Sequence, residues 1–511
     1  MGLRHGLLAS FSLVALTAAA GGQTPARSPL SQPPAMAPAV RSAEGAAPKG
    51  KAAPGTAVAA GAAAAQYIPH TLTEALAATY TYQPALQAER ARLRATDENV
   101  PTALAGWRPT MVLGGQAGYG DGVSRAYTAQ LGRVIAAQTD RVIGTAQATV
   151  TQNVYTGGKT QAGVNRSKNQ VMAERATLLA QEQTSFNNAV AAYVGVIQTQ
   201  QLLALQINNE QVLSKQLQAT NDRFRVGEIT RTDVAQAEAA LQGARAQRET
   251  AEGNLQTQRG NFQQFVGFAA PSDLIEPQPL NLPVNSEQEA SALAAANNPN
   301  VVTALFNDAA AKDAVDLALS ALLPTVSLNG QTFQQTNAGG RSTSNNGFQV
   351  TASLNVPIYQ GGSEYAAVRQ ARQQQQQTNR LIDDARRTAV QNAVQAWGTL
   401  VAAKASADST RSQIRANQIA LEGTEREAIV GSRTTLDVLN ATQALLSSRT
   451  TLVQNLAQVI TASYAVAVAI GRLTARDLHL PVPLYDETAY YQAVKDRWVG
   501  LGDYATSQPG R

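Results

Sequence analysis

The stretch RVGEITRTDVAQAEAALQ, from Arg225 to Gln242, returns as IVGSRTTLDVLNATQALL, from Ile429 to Leu446, and this recurrence constrains the chain more than any other feature. Gly227 and Gly431 stand 204 positions apart (431 − 227), and the same offset carries Asp233 to Asp437, Tyr155-Thr-Gly-Gly to Tyr359-Gln-Gly-Gly and Val266-Gly267 to Ile470-Gly471. Similarity at a fixed offset marks a tandem repeat, so a unit formed by one half should be formed again by the other. In each copy a long polar, alanine-rich helical pattern precedes the glycine and another follows it, which predicts an αα-hairpin with this motif at its tip. Glycine suits the left-handed residue that closes the incoming helix, and Thr230 and Thr434 are N-cap candidates for the outgoing one. Asp233 and Asp437 fall three residues later, where a carboxylate completes a capping-box-like start and favours the positive helix end.

A second offset governs the front of each copy. Thr71-x-x-Glu74 matches the capping-box pattern ahead of a helical stretch expected to reach about Ala105, and its counterpart is Ser286-x-x-Glu289, an offset of 215 (286 − 71). Pro84 with Pro299 and Pro109 with Pro324 keep that offset. The change from 215 to 204 puts a length difference between Pro109 and Tyr155, where a loop of variable length is expected. The same interval carries strand patterns. In TAQATVTQNVY, Ala146, Ala148, Val150 and Val154 alternate with Thr145, Gln147, Thr149, Thr151 and Asn153. In the second copy Phe348, Val350, Ala352, Leu354, Val356 and Ile358 alternate with Gln349, Thr351, Ser353 and Asn355, over about the 9 to 11 residues of a membrane-spanning strand. Partner strands begin after Pro109 and Pro324, with Gly-, Asn- and Ser-rich loops closing both hairpins. An ordinary sandwich would leave four such strands with two open edges and an apolar face.

After each Gly-Gly the helical pattern runs from about Lys159 to Arg223 and from about Ser363 to Arg426, and roughly 60 to 65 residues at 1.5 Å each give a rod on the order of 100 Å. With only 5% aromatic residues among 511, the chain lacks the bulk for thick cores, in keeping with extended architecture. The returning helix of the second copy places Val438, Leu445, Leu452, Val459 and Val466 seven apart beside Leu439, Leu446, Val453 and Ile460, which predicts coiled-coil packing and suits a helix with neighbours on two sides, although a broad core stripe in a helical bundle gives the same two rails. The first copy repeats this as Val234, Leu241, Leu255 and Phe262, with Arg248 interrupting. Asp383-Asp384 and Gln373 to Gln377 read as a solvated helix face.

Residues 1–20 have the charged start, short apolar middle and small-residue end of a signal peptide, and no later stretch reads as a membrane-spanning helix. Residues 21–66 are Ala-, Pro- and Gly-rich with almost no large apolar side chains, as expected of a disordered linker. The tail from 474 to 511 is expected to pack on the outside of the body and fray at its end. A formal charge of +5, spread among acidic and amide residues, argues against a nucleic-acid partner, and the absence of cysteine excludes thiolate metal sites and disulfides. His70 and His479 stand alone and no catalytic constellation is visible, so no enzyme activity, metal or cofactor is expected. Tyr155-Thr-Gly-Gly-Lys-Thr lacks the first glycine of a phosphate-binding loop, Asn153 standing in its place, and reads as a strand-to-helix turn.

The duplicated tip, the Gly-Gly junctions and the segment TLTEALAATYTYQPALQAERARLRATDENVPTALAGWRPT together resemble the TolC family of outer-membrane efflux proteins over roughly Ile68 to Leu473. The resemblance implies a mainly α fold with long coiled-coil helices and a transmembrane β-barrel. Each subunit of a homotrimer would give four strands to the barrel and four rods to a periplasmic tunnel. The domains would then be a first repeat over 67–272, a second over 273–473, and the tail. The implied function is the exit duct of a tripartite efflux pump in the outer membrane, surrounded by lipid and coupled to a periplasmic adaptor and an inner-membrane transporter. The alternative is the conduit of type I protein secretion. A periplasmic coiled-coil adaptor would explain the rods but leave the amphipathic strands without a purpose. Carried over by motif, the pore gate would comprise Thr232, Asp233, Arg433, Asp437 and Asn440, with Thr232 and Arg433 as one polar link and Asp437 as a ring acid. Ala428 stands where the family has the tyrosine that meets Asp233, and Asn440 where it has a second ring acid. Val226, Gly227, Thr230, Val430, Gly431 and Thr434 would face the adaptor.

Overall fold

Proline sets the first boundaries. The computed structural model describes residues 69–338 and 342–502, so the segments expected as signal peptide and linker lie outside the described residues. The stretch anticipated as one helix from Thr71 to Ala105 is three: α1 (Leu72–Tyr82), α2 (Pro84–Asp97) and α3 (Asn99–Leu104). Pro84 disfavours helical geometry at Gln83, which is extended at φ −65°, ψ 117°, while proline at the first helical position suits the start of α2. The capping box of Thr71 and Glu74 forms in full. At the second site Ser286 accepts from the Glu289 amide, but the Glu289 carboxylate turns to the Asn285 amide instead.

Then come β1 (Thr110–Thr128), β2 (Arg133–Tyr155), α4 (Lys159–Arg225) and α5 (Arg231–Val266), and the same order recurs as α6 (Glu287–Asn297), α7 (Pro299–Leu319), β3 (Thr325–Thr336), β4 (Ser344–Asn355), α8 (Ser363–Ile429) and α9 (Thr435–Ala469). The strands form one antiparallel sheet ordered β1-β2-β3-β4, leaving β1 and β4 as edges among the described residues. The extra length of the first hairpin is not in a loop. It extends the strands to 19 and 23 residues, against 12 each in the second hairpin. Pairing of β2 with β3 stops at Gly144 opposite Thr336, whereas β1 and β2 stay paired out to Thr128 opposite Arg133, so the outer part is a two-stranded ribbon. Asn337, at positive φ, braces its base by donating to the Val142 carbonyl at 2.9 Å, and Arg141 donates to the Ala338 carbonyl at 3.0 Å.

Sheet meets rod at Gly157-Gly158 and Gly361-Gly362, all at positive φ. At Gly157 a Cβ would lie 2.9 Å from both the Leu323 Cβ and the Ser320 carbonyl oxygen, so glycine is required there for space as well as for backbone geometry.

The main core lies partway along the rods, where α1, α2 and the tail pack on the middle of α4 and the last turns of α5 and α9. Phe186, Val190, Tyr193 and Phe262 of α4 and α5 are buried against Leu76 of α1, Leu86 of α2, Tyr464 of α9 and Leu473 beyond it. The Tyr193 hydroxyl, 2.7 Å from the His70 carbonyl oxygen and 2.8 Å from that of Ile275, pins two crossing segments to α4. Helices α4 and α9 do contain 18-residue windows apolar enough to cross a membrane, contrary to the sequence reading. Their apolar residues belong to this helix–helix core, where Phe186 and Tyr193 pack beside Ile460 and Tyr464. The heptad rails behave as their spacing predicts: Val438, Leu445, Val459 and Val466 are buried, as are Leu241, Leu255 and Phe262. Arg248 is accommodated on its rail by Glu210 of α4, 2.9 Å away, and Glu252, 3.1 Å away. Within the glutamine run, Gln375 reaches the buried Asp308 of α7 at 3.0 Å, while its neighbours in the run stay exposed. The tail crosses α2 and α4, with Arg90 stacked between Tyr80 (4.4 Å) and Tyr485 (5.1 Å) and with α10 (Ala489–Val494) alongside.

Candidate channel site

Each rod ends at a tip built alike. Helix α4 closes on Gly227 and α8 on Gly431, both at φ 80°, a conformation that removes the helical carbonyls from register at no Cβ cost. Thr230 accepts from the Asp233 amide while the Asp233 carboxylate accepts from the Thr230 amide at 3.0 Å; Thr434 and Asp437 repeat both bonds. These bonds hold both carboxyls below the usual aspartate range: for Asp233 the Thr230 hydroxyl contributes most, for Asp437 the Thr434 amide. Both therefore stay ionised at neutral and mildly acidic pH. Asp437 and Asn440 are one turn apart on α9, and Thr232 is exposed. Val226 and Val430 are 79% and 77% exposed, an apolar pair at the outermost turns.

The residues expected to link the hairpins are not joined in the protomer. Arg433 bonds Glu427 of its own hairpin at 2.9 Å, not Thr232. Arg223, outside the motif residues, instead spans the two hairpins: its Nη2 donates to Glu228 at 2.6 Å and to the Ala428 carbonyl at 3.4 Å. The sequence did hold a signal, since position 223 maps by the 204 offset to Glu427, the opposite charge.

At the other end, the sheet carries no Lys, Arg, Asp or Glu in residues 110–117, 144–155, 325–336 and 344–355. One face presents Met111, Leu113, Phe348, Val350 and Leu354, all exposed in the protomer. The opposite face is knitted by amides and hydroxyls: Gln349 donates to Gln331 and Gln331 to Gln147, both at 3.0 Å, and Thr151 donates to Asn329 at 2.9 Å. Sequence alternation indicated the faces but not these cross-strand bonds, which depend on register.

A four-stranded band without charged residues, with one apolar and one polar face and joined to two long coiled-coil hairpins, is the architecture of an outer-membrane channel with a periplasmic extension. The family model described as outer membrane efflux protein matches residues 79–267 and 290–472, and the chain belongs to this family, the TolC family. The outer membrane efflux protein BepC of Brucella suis is 36% identical over 433 residues, spanning 84% of this chain and 92% of that protein. The outer membrane protein TolC of Escherichia coli is 27% identical over 317 residues, 59% of this chain and 64% of its own. The crystal structure of VceC, an outer membrane protein of Vibrio cholerae, superposes with a TM-score of 0.67 at 20% identity, covering 78% of this chain and 96% of that one. The protein is thus an outer-membrane efflux channel that extends into the periplasm, and its relatives are channels, not enzymes.

Proposed function

We propose that three copies of this chain close into one duct, each giving β1 to β4 to a twelve-stranded barrel and α4, α5, α8 and α9 to the wall of a periplasmic tunnel. The observation that carries this reading is the sheet's pair of bare edges flanking an uncharged, two-faced band, because in lipid an unpaired edge costs several kcal/mol per group and closure removes it. The apolar face then meets lipid and the Gln147-Gln331-Gln349 face meets the lumen. In this reading the halves 67–272 and 273–473 are products of duplication, followed by the tail 474–511, and residues 1–20 are removed on export. The tips, with Val226, Gly227, Thr230, Val430, Gly431 and Thr434, receive a periplasmic adaptor that couples the duct to an inner-membrane transporter in a tripartite efflux pump.

At the tip end, three Asp437 carboxylates form a single ring that attracts cations, with Asn440 one turn above it and Thr232, Asp233 and Arg433 around the constriction. A ring of Asp437 without a second acid is weaker than a double one. The test is cation selectivity and divalent-cation block in planar bilayers. Asp437→Ala is expected to lower both, and an unchanged Asp437→Ala channel would sink the ring. Trimer assembly is read from heat-modifiable mobility in the membrane fraction; a soluble periplasmic monomer would overturn the duct itself. Adjacent genes for an ATP-driven secretion transporter, in place of a proton-driven pump, would redirect the cargo to protein.

A further inference from the structure

Beyond α10 the tail ends in a short turn that directs its apolar side chains outward. Val494, at the end of α10, is buried, whereas Trp498 is 65% exposed, Val499 86% exposed and Leu501 wholly so. The backbone that carries them is closed on itself. Arg497 folds back so that its Nε donates to the Val499 carbonyl at 3.1 Å and its Nη1 to the Gly502 carbonyl at 2.8 Å. Gly500, at φ 109°, permits this, since a Cβ there would lie 2.6 Å from Arg497 Nη2. A turn that satisfies its carbonyls internally leaves water at a lower cost than one that depends on solvent for them.

The turn is also fixed at one height on the molecule. Arg108, two residues before β1, donates through Nη1 to the Arg497 carbonyl at 2.5 Å, and its guanidinium lies 5.0 Å from the centre of the Trp498 ring. Residues 110–117 carry no charge, so Arg108 marks the inner limit of the uncharged band, close to the exposed Met111 and Leu113. Indoles favour the boundary between water and hydrocarbon, and long basic side chains there keep their heads among polar groups. By the 215 offset Arg108 maps to Leu323, so this feature is not part of the repeat.

We propose that Trp498, Val499 and Leu501 form an anchor that enters the periplasmic leaflet of the outer membrane beside the root of β1. Phospholipid acyl chains surround the three side chains, and lipid phosphates meet Arg108 and Arg497. The anchor rests on the reading that the band faces lipid, because that band sets Arg108 at the boundary. It ties the tail, and with it the α2 segment that Tyr485 and Tyr490 hold, to the bilayer.

Depth-dependent quenching in proteoliposomes of phosphatidylethanolamine and phosphatidylglycerol tests the anchor. Of the 3 tryptophans, Trp107→Phe with Trp397→Phe leaves Trp498 as the single indole of the full-length chain. Its emission is expected to be blue-shifted, to lose most of its intensity to lipid brominated at the top of the acyl chain, to lose less to lipid brominated near the chain end, and to resist aqueous acrylamide. Adding Val499→Ser and Leu501→Ser should shift the emission to the red and restore its intensity while the heat-modifiable trimer persists. Quenching of Trp498 by acrylamide and not by brominated lipid overturns the anchor. Indifference to both quenchers overturns it as well and places the ring against a neighbouring subunit, and so does a double serine variant quenched like its parent. Leu113→Trp, in a chain whose native tryptophans are all replaced by phenylalanine, reports on the band. Quenching of that indole by brominated lipid beside an unquenched Trp498 removes the anchor and keeps the barrel; if neither is quenched, both fall.

Discussion

Asp97 illustrates what single residues do here that their local sequence conceals. It sits at the end of α2, is fully buried beneath the tail, and neither carboxylate oxygen has a hydrogen-bond partner. Burial raises its pKa to about 7, opposed by Arg175 and reinforced by Glu98 and Glu487. The unfolded carboxyl titrates near 3.8, so between that pH and about 7 the native state keeps a proton that the unfolded chain has lost. Stability contributed by this group is therefore whole below the unfolded value, declines as pH rises, and is gone above 7. Asp97→Asn, which mimics the protonated form, is expected to melt with the parent near pH 4 and several degrees above it at pH 8; parallel melting curves across that range would refute the assignment. The sequence reading missed Asp97 because an acidic residue near a helix end normally faces water. What buries it is a tail some 390 residues downstream, which also supplies Tyr485 to stack on Arg90 and Tyr490 to bond Glu98 at 2.9 Å. By contrast the Thr230-Asp233 and Thr434-Asp437 caps were legible, since a cap is made by residues three apart and needs no tertiary partner.

Elements were read well where one physical rule dominates and poorly where two compete. The rods follow from helical period, and α4 and α8 end within three residues of their expected limits. The first hairpin did not follow, because GYGDGVSRAYT has the glycines of a loop and its partner segment the polarity of one. Strand pairing prevails there because β1 and β2 are already in register at the base, even with Asp121 directly opposite Asp140, an unfavourable like-charge pair. Beyond Gly144 this ribbon pairs with no strand but its own partner, so replacing residues 121–140 with a short turn, which keeps the bonds of Arg141 and Val142 at its base, is expected to leave the heat-modifiable trimer of the proposed duct with unchanged conductance; loss of the trimer would mean that the ribbon helps to close the barrel. Within the band the two faces should respond differently. In the proposed barrel Val350 lies on the lipid face near mid-strand and Thr351 on the lumen face, so arginine is expected to cost about 2 to 4 kcal/mol at Val350 and less at Thr351. Equal losses of folded trimer from Val350→Arg and Thr351→Arg would show that this sheet does not span a bilayer.

At the scale of the whole molecule, the two hairpins have matched lengths: α4 and α8 are 67 residues each, and α5 and α9 are 36 and 35. Both start from Gly-Gly junctions on one sheet, so equal lengths bring the tips level and let Arg223 meet Ala428 across them. If the tips form the constriction proposed above, equality of length is a condition for its closure, separate from any single contact. Removing one heptad from each of α4 and α5 keeps the apolar rails in phase but withdraws the first tip by about 10 Å, more than any side chain at the tip can bridge. The expected result is a trimer that assembles with a persistently raised conductance. Removing the matching heptads from α8 and α9 as well restores level tips, and the doubly shortened channel is expected to return to the parent's closed conductance on a tunnel shorter by the same amount. If the single and double deletions conduct alike, closure does not depend on tip registration, and the constriction must lie elsewhere along the tunnel.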